Sequence, residues 1–167
     1  MKKIIKLLTL MLVLLFVLTG CGLRKKAPKK WYEGNINYYK EGVKDKWAHV
    51  DSDYYVPEDY KKEKLGYLLK DLDGDGTDEL FIGIIDDSSE TKFTDIIIYH
   101  NDFGPTRSFC TGEGYYIYIC DNNIVRQDSW LGSETETRYM KYNSDENSWP
   151  IIDTKSTARK FELTPFE

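Results

Sequence analysis

The segment Leu65-Gly66-Tyr67-Leu68-Leu69-Lys70-Asp71-Leu72-Asp73-Gly74-Asp75-Gly76-Thr77-Asp78-Glu79-Leu80-Phe81-Ile82-Gly83-Ile84-Ile85 decides how the rest of the chain is read. Two short runs rich in apolar and β-branched residues, 65–70 and 79–85, enclose a stretch of alternating Asp and Gly. Short apolar runs bounded by turn residues read as strands. The same pattern continues downstream in residues 93–100, 115–120, 124–130 and 136–142. A last strand is expected at 151–152 or 159–163. Turn signals separate the runs: Asp86-Asp87-Ser88-Ser89, Asn101-Asp102-Phe103-Gly104-Pro105, Asp121-Asn122-Asn123 and Leu131-Gly132-Ser133. Strands so closely spaced favour an antiparallel meander. The connections are too short to hold crossover helices, which argues against a parallel α/β sheet.

Upstream, the period changes. Trp31, Ile36, Tyr39, Val43 and Trp47 recur at helical intervals, although Gly34 and Gly42 weaken the helix. Residues 51–63 are polar, include Pro57 and read as a connecting loop. The expected fold class is therefore α+β, mainly an antiparallel β meander of about six to seven strands with one N-terminal helix.

Charge divides the 167 residues into three parts. Residues 1–20 carry three Lys and no acid, and residues 21–30 add five more basic residues and again no acid. The remainder, 31–167, holds 15 basic and 28 acidic residues, a net charge of −13. Such a domain lacks the basic face that neutralises phosphates, so nucleic acid is excluded as a partner. An aromatic content of 14%, with 13 Tyr, excludes wholesale disorder.

Asp71, Asp73 and Asp75 alternate, so in a curled loop their carboxylates converge, and Gly76 can take the positive φ that folds the chain around the convergence point. Thr77 would then present its backbone carbonyl, and Glu79 would reach the same point directly or through water. Converging carboxylates repel one another unless a hard cation accepts their oxygens, and Ca²⁺ takes six to eight of them. A simple hairpin turn needs one Asp-Gly pair, not three alternating Asp and a further acid. Over its first nine positions the loop resembles the calcium loops of EF-hands and dockerins. It departs at the twelfth, where Ile82 stands in place of a bidentate Glu, and its flanks read as strands rather than helices. It is more similar to the strand–loop–strand calcium loops of integrin-type FG-GAP repeats. That resemblance implies Asp71, Asp73, Asp75, Thr77 and Glu79 as ligands; without the bidentate twelfth ligand the affinity should be modest, on the order of 10⁻⁴–10⁻³ M. The stretch 67–82 also resembles a segment of uncharacterised lipoproteins from low-GC Gram-positive bacteria, which carries no assigned activity.

The N-terminus points the same way. Met1-Lys2-Lys3 is a positive start, residues 4–18 are almost continuously apolar, and the run ends in Leu18-Thr19-Gly20-Cys21. It resembles a bacterial lipoprotein signal with its lipobox. The resemblance implies cleavage before Cys21, acylation of the Cys21 sulfur, and anchoring to membrane lipid at the extracytoplasmic face; the alternative is an uncleaved anchor with Cys21 incidental. Residues 21–30, with Arg24, Lys25, Lys26, Lys29 and Lys30, read as a basic tether suited to anionic headgroups. Residues 31–167 then form a single acidic β-rich domain.

Other candidates carry less. Cys110 and Cys120 are permitted a disulfide outside the cell, and a buried pair of free thiols is the alternative. His49 and His100 lack partners at metal spacing. No nucleophile elbow or nucleotide fingerprint is present, since Gly112-Glu113-Gly114 and Gly132-Ser133-Glu134 match neither. Alternation sets Tyr116, Tyr118 and Cys120 on one strand face and Tyr115, Ile117 and Ile119 on the other. One face belongs to the core, and the other is either ordinary half-exposed strand or an aromatic platform for cell-wall glycan or a protein partner. The expected role is a non-enzymatic binding or scaffold module. The rival expectation is an envelope enzyme or enzyme inhibitor acting on wall polymers.

Overall fold

The computed structural model describes residues 29–48, 50, 56–100, 104–110 and 115–166; Cys21, the tether before Lys29, and His49 lie outside the described residues. A 3₁₀ turn, Lys29–Tyr32, leads into helix α1, Glu33–Asp45. Its inward stripe is Tyr32, Ile36 and Tyr39, all buried. The helix stops short of the helical periodicity, which includes Trp47. Lys46 and Trp47 both adopt positive φ, and the Trp47 N–H donates to the Gly42 carbonyl at 2.8 Å. The Trp47 ring folds back over Gly42, where a Cβ would stand 2.5 Å from it. Gly42, a weak helix residue by propensity, is thus the seat of the capping indole. A second, five-residue helix, α2 (Glu58–Lys62), occurs where the sequence reads as loop. It aims Tyr60 inward, 4% exposed.

Among the described residues eight strands follow: β1 Leu65–Lys70, β2 Glu79–Ile84, β3 Phe93–His100, β4 Gly104–Cys110, β5 Tyr115–Ile119, β6 Val125–Leu131, β7 Glu134–Met140 and β8 Thr164–Pro165. The sheet order is β7-β6-β5-β3-β2-β1-β8, with β4 also paired to β3, and all pairings are antiparallel. The class is therefore α+β and mostly β, with neighbours largely in meander order. Two strands differ from the sequence expectation. β4 reads as a turn because Gly104 and Pro105 open it and its middle is polar; the apolar β3, buried from Phe93 to Ile98, pairs with it along residues 95–100. The closing strand is β8, which pairs with Gly66 and Tyr67. Ile151 makes only an isolated bridge, to Met140, as Ala158 does to Cys120.

β3 is the pivot, bonded on one side to β2 and on the other to β4 along most of its length and to β5 at Phe93. Alternation along β2 sends Leu80, Ile82 and Ile84 to the helical layer, where they meet Ile36, Tyr39, Trp47 and Tyr60. Phe81 points the other way, into a core shared by Phe93, Ile96 and Ile98 with Ile117, Ile119, Val125 and Met140 from β5–β7. Each such side chain contributes roughly 1.5–3 kcal/mol on full burial. Leu72, 2% exposed, belongs to this second core although it lies in the acidic loop.

Candidate metal centre

The loop between β1 and β2 is closed by the Lys70–Glu79 pair and pinned by Leu72, whose side chain enters the core. Anchoring Leu72 leaves its neighbours Asp71 and Asp73 both partly exposed on the rim. Gly74 and Gly76 take φ of 87° and 90°, so the chain turns back over Asp71. The Asp71 carboxylate receives the Gly74 N–H at 2.6 Å on one oxygen and the Gly76 N–H at 3.1 Å on the other. Asp73 accepts from Asp75 N–H at 3.0 Å, and Asp75 accepts from Thr77 N–H at 2.6 Å. Glu79, at the start of β2, is 2% exposed and accepts the Leu72 N–H at 2.7 Å.

This geometry brings together three of the five expected ligands. One carboxylate oxygen from each of Asp71, Asp73 and Glu79 lies within 4.8 Å of the others, so the group can hold a metal ion. Asp75 and Thr77 instead line an adjoining cleft of about 150 Å³ with Glu79, Ile98, Tyr99, His100, Tyr142 and Ser144. Ile82, at the EF-hand's twelfth position, is fully buried in β2 beneath the helical layer and cannot turn toward the loop. A cation fits the remaining set on a structural ground: the second oxygen of Asp73 is buried and has no hydrogen-bond donor. Burial, followed by the charges of Asp73, Asp75 and Asp71, pushes Glu79 up to about 8 against the Leu72 N–H. Tyr142, sealed over the same acids, is pushed up to about 12 by burial and then by Asp73, Glu79 and Asp75.

The loop is braced from outside. The Tyr32 hydroxyl donates to the Asp78 carbonyl at 2.8 Å, and the Asn123 side-chain amide donates to the Asp71 carbonyl at 3.3 Å. Sequence reasoning missed His100 at the end of β3 and Tyr142 and Ser144 in the segment after β7, which are remote in the chain and carry no spacing signal.

A second buried polar cluster lies under the helices. Asp95, 0% exposed, accepts from the Tyr60 hydroxyl and from Thr94 Oγ1 at 3.1 Å, and pairs with the Arg107 guanidinium at 3.1 Å. Arg107 also donates to the Tyr39 hydroxyl at 2.9 Å. Nothing in the sequence marks Asp95, an isolated acid in an apolar strand. Burial still holds its carboxyl above the usual range despite Arg107 and the hydroxyls.

The remaining candidates are placed as follows. Cys120 is a buried free thiol, pushed up by burial; the Cys110 side chain lies outside the described residues. Ile117 and Ile119 form core, as one of the two strand faces must, yet Tyr118 on the opposite face is also buried, at 7% exposure. The Arg126 guanidinium covers its ring at 4.0 Å and is itself bound by Glu90 and Asp128. Lys92 sits 5.2 Å above Tyr116. Of the aromatics in these strands, Trp130 at 62% and Tyr115 at 38% remain exposed. Glu134 and Glu136 line a shallow groove on exposed β7, where Glu136 is held by Arg138 at 2.8 Å.

No protein-family model, curated protein or solved structure matches the chain.

Proposed function

We propose that the chain is a lipid-anchored protein of the extracytoplasmic membrane face whose acidic loop takes Ca²⁺ as a structural ion, and whose domain serves as a binding or scaffold module. The observation that carries the metal reading is the buried, donorless oxygen of Asp73 beside the oxygens of Asp71 and Glu79. An all-oxygen donor set of this kind suits a hard cation, and its uneven, partly backbone-braced shape suits Ca²⁺ better than the strict octahedron of Mg²⁺. Bound there, the ion supplies positive charge, and Asp71, Asp73 and Glu79 hold it between the ends of β1 and β2. The anchor reading draws on the Leu18-Thr19-Gly20-Cys21 box and the basic residues after it. Two or three acyl chains, at about 0.8 kcal/mol per buried CH₂, hold such a protein firmly on a membrane.

Calorimetric titration of the protein with Ca²⁺ tests the metal reading. Heat of binding and a rise in melting temperature at millimolar Ca²⁺ are expected; the absence of both overturns it. Mass spectrometry of the membrane-extracted chain tests the anchor, which requires an acylated Cys21 at the new N-terminus. Pull-down with wall glycan and envelope protein tests the module, for which binding without turnover is expected. Turnover of a wall polymer would favour the enzyme reading instead.

A further inference from the structure

We infer that the end of the domain bearing the acidic loop faces the membrane, so that the loop meets its cation at an anionic phospholipid surface. The inference rests on the anchored, calcium-binding reading above and adds to it an orientation and a partner. Its first support is where the chain enters the fold. Tyr32 is fully buried and bonded to the Asp78 carbonyl of the loop at 2.8 Å. Trp31 stacks on Tyr99 with ring centroids 4.1 Å apart, and Tyr99 lines the cleft beside Asp75 and Glu79. The polypeptide therefore arrives at the loop end. The far end of the β1–β2 hairpin lies one six-residue strand away, about 20 Å.

The second support is covalent reach. Cys21 and Lys29 are separated by eight peptide units, which span at most about 29 Å. That reach alone admits either end of the hairpin; Lys29 and Lys30, basic and at the entry itself, are what draw the loop end toward the headgroups.

The third support is charge. Five basic residues between Arg24 and Lys30 are each drawn to an anionic surface by about 1 kcal/mol, while five acids lie within residues 71–79. The same surface that attracts the tether repels the loop until a divalent cation offsets its charge. A leaflet potential of about −30 mV raises the local concentration of a divalent ion about tenfold at the surface and about twofold one Debye length out. Apparent calcium affinity should therefore depend on the lipid.

The test uses the acylated full chain reconstituted in vesicles of phosphatidylcholine alone or mixed with phosphatidylglycerol. Radioactive calcium retained by the protein is measured, with Asp73→Asn vesicles as the blank. Half-saturation is expected at a calcium concentration about two- to tenfold lower on the phosphatidylglycerol vesicles. A variant with a long Gly/Ser insertion between Ala27 and Pro28 should lose that gain and still bind calcium. Equal half-saturation on the two vesicles, or a gain that survives the insertion, overturns the orientation while leaving the calcium reading intact. No specific retention on either vesicle overturns the calcium reading, and the inference with it. A chain lacking the acyl mass on Cys21 overturns the anchor reading in the same way.

Discussion

Asp95 in β3 and Glu79 in β2 are both carboxylates withdrawn from water, 0% and 2% exposed, yet their surroundings differ in kind. Around Asp95 the protein supplies its own counter-charge: Arg107 stands 3.1 Å from Oδ1, and the Tyr60 and Thr94 hydroxyls both donate to Oδ2. Around Glu79 it supplies one neutral N–H, from Leu72, and three further carboxylates. Burial costs a charged group several kcal/mol unless an opposite charge and hydrogen bonds offset it. The Asp95 cluster meets that condition from within the chain. The loop supplies no such counter-charge of its own and can hold a cation from outside, which sets it apart from the Asp95 cluster, an internal tie.

The largest expected effect breaks the tie. Arg107→Met leaves the fully buried Asp95 carboxylate without its counter-charge, and should cost about 3–5 kcal/mol in urea denaturation. The loss should be the same in millimolar Ca²⁺ and in chelator. Arg107 is half-exposed and can be rehydrated, so Asp95→Ala, which removes the buried charge itself, should cost less, about 1–2 kcal/mol. A loss that depended on calcium would join the two clusters and dissolve the contrast.

The next effect separates the clusters by pH. Without metal, Glu79 is pushed up from 4.5 to about 8 in the fold. An acid raised on folding stabilises the native state fully below its unfolded value, and that contribution is lost as pH rises through the folded value. The chelated protein should therefore lose up to a few kcal/mol between about pH 5 and pH 8. Asp95 is shifted in the same direction, so it adds a slope of the same sign. Only the Glu79 share should vanish in saturating Ca²⁺, which holds the carboxylate ionised. Melting curves across this range, with and without the ion, give the difference; superimposable slopes would place Glu79 outside the metal site.

The contrast also explains what could be read from the chain directly. The loop announces itself because its chemistry is local: Asp71, Asp73 and Asp75 lie within five residues, and the flanking strands follow from apolar runs ending at Lys70 and beginning at Glu79. The Asp95 cluster draws on α1, α2, β3 and β4, and its members are 12 to 56 positions from Asp95 except for Thr94, so no spacing betrays it. β4 escaped for a related reason. Its strand character comes from the apolar β3 beside it, whereas its own Gly104-Pro105 start reads as a turn and polar Arg107-Ser108 gives no apolar run. The helix end at Asp45 was hidden too, because Trp47 keeps the helical period while folding back on Gly42.

A smaller effect sharpens the loop side. At a calcium concentration tenfold above the dissociation constant, the wild-type protein should gain about 1.4 kcal/mol. Asp73→Asn should abolish most of that gain. In chelator the same variant should be as stable as wild type or slightly more so, because it removes one of the mutually repelling acids and turns the donorless oxygen into an amide. Opposite signs in the two conditions are the signature of a site that needs an external ion; a uniform loss would instead make Asp73 an ordinary turn residue.

The smallest expected effect concerns the brace between the entry of the chain and the loop. Tyr32→Phe keeps the ring in the helical core and deletes only the hydroxyl that donates to the Asp78 carbonyl. The lost bond should cost about 1 kcal/mol. Because Asp78 is not among the converging acids, the ligands keep their own N–H contacts from Gly74, Gly76 and Leu72. Calcium half-saturation should then rise by no more than about threefold, which corresponds to about 0.6 kcal/mol of lost preorganisation. A rise beyond about tenfold would mean that the ligand geometry depends on the entering segment. The loop would then be a joint between tether and sheet, and the distinction from the interlocked Asp95 cluster would narrow accordingly.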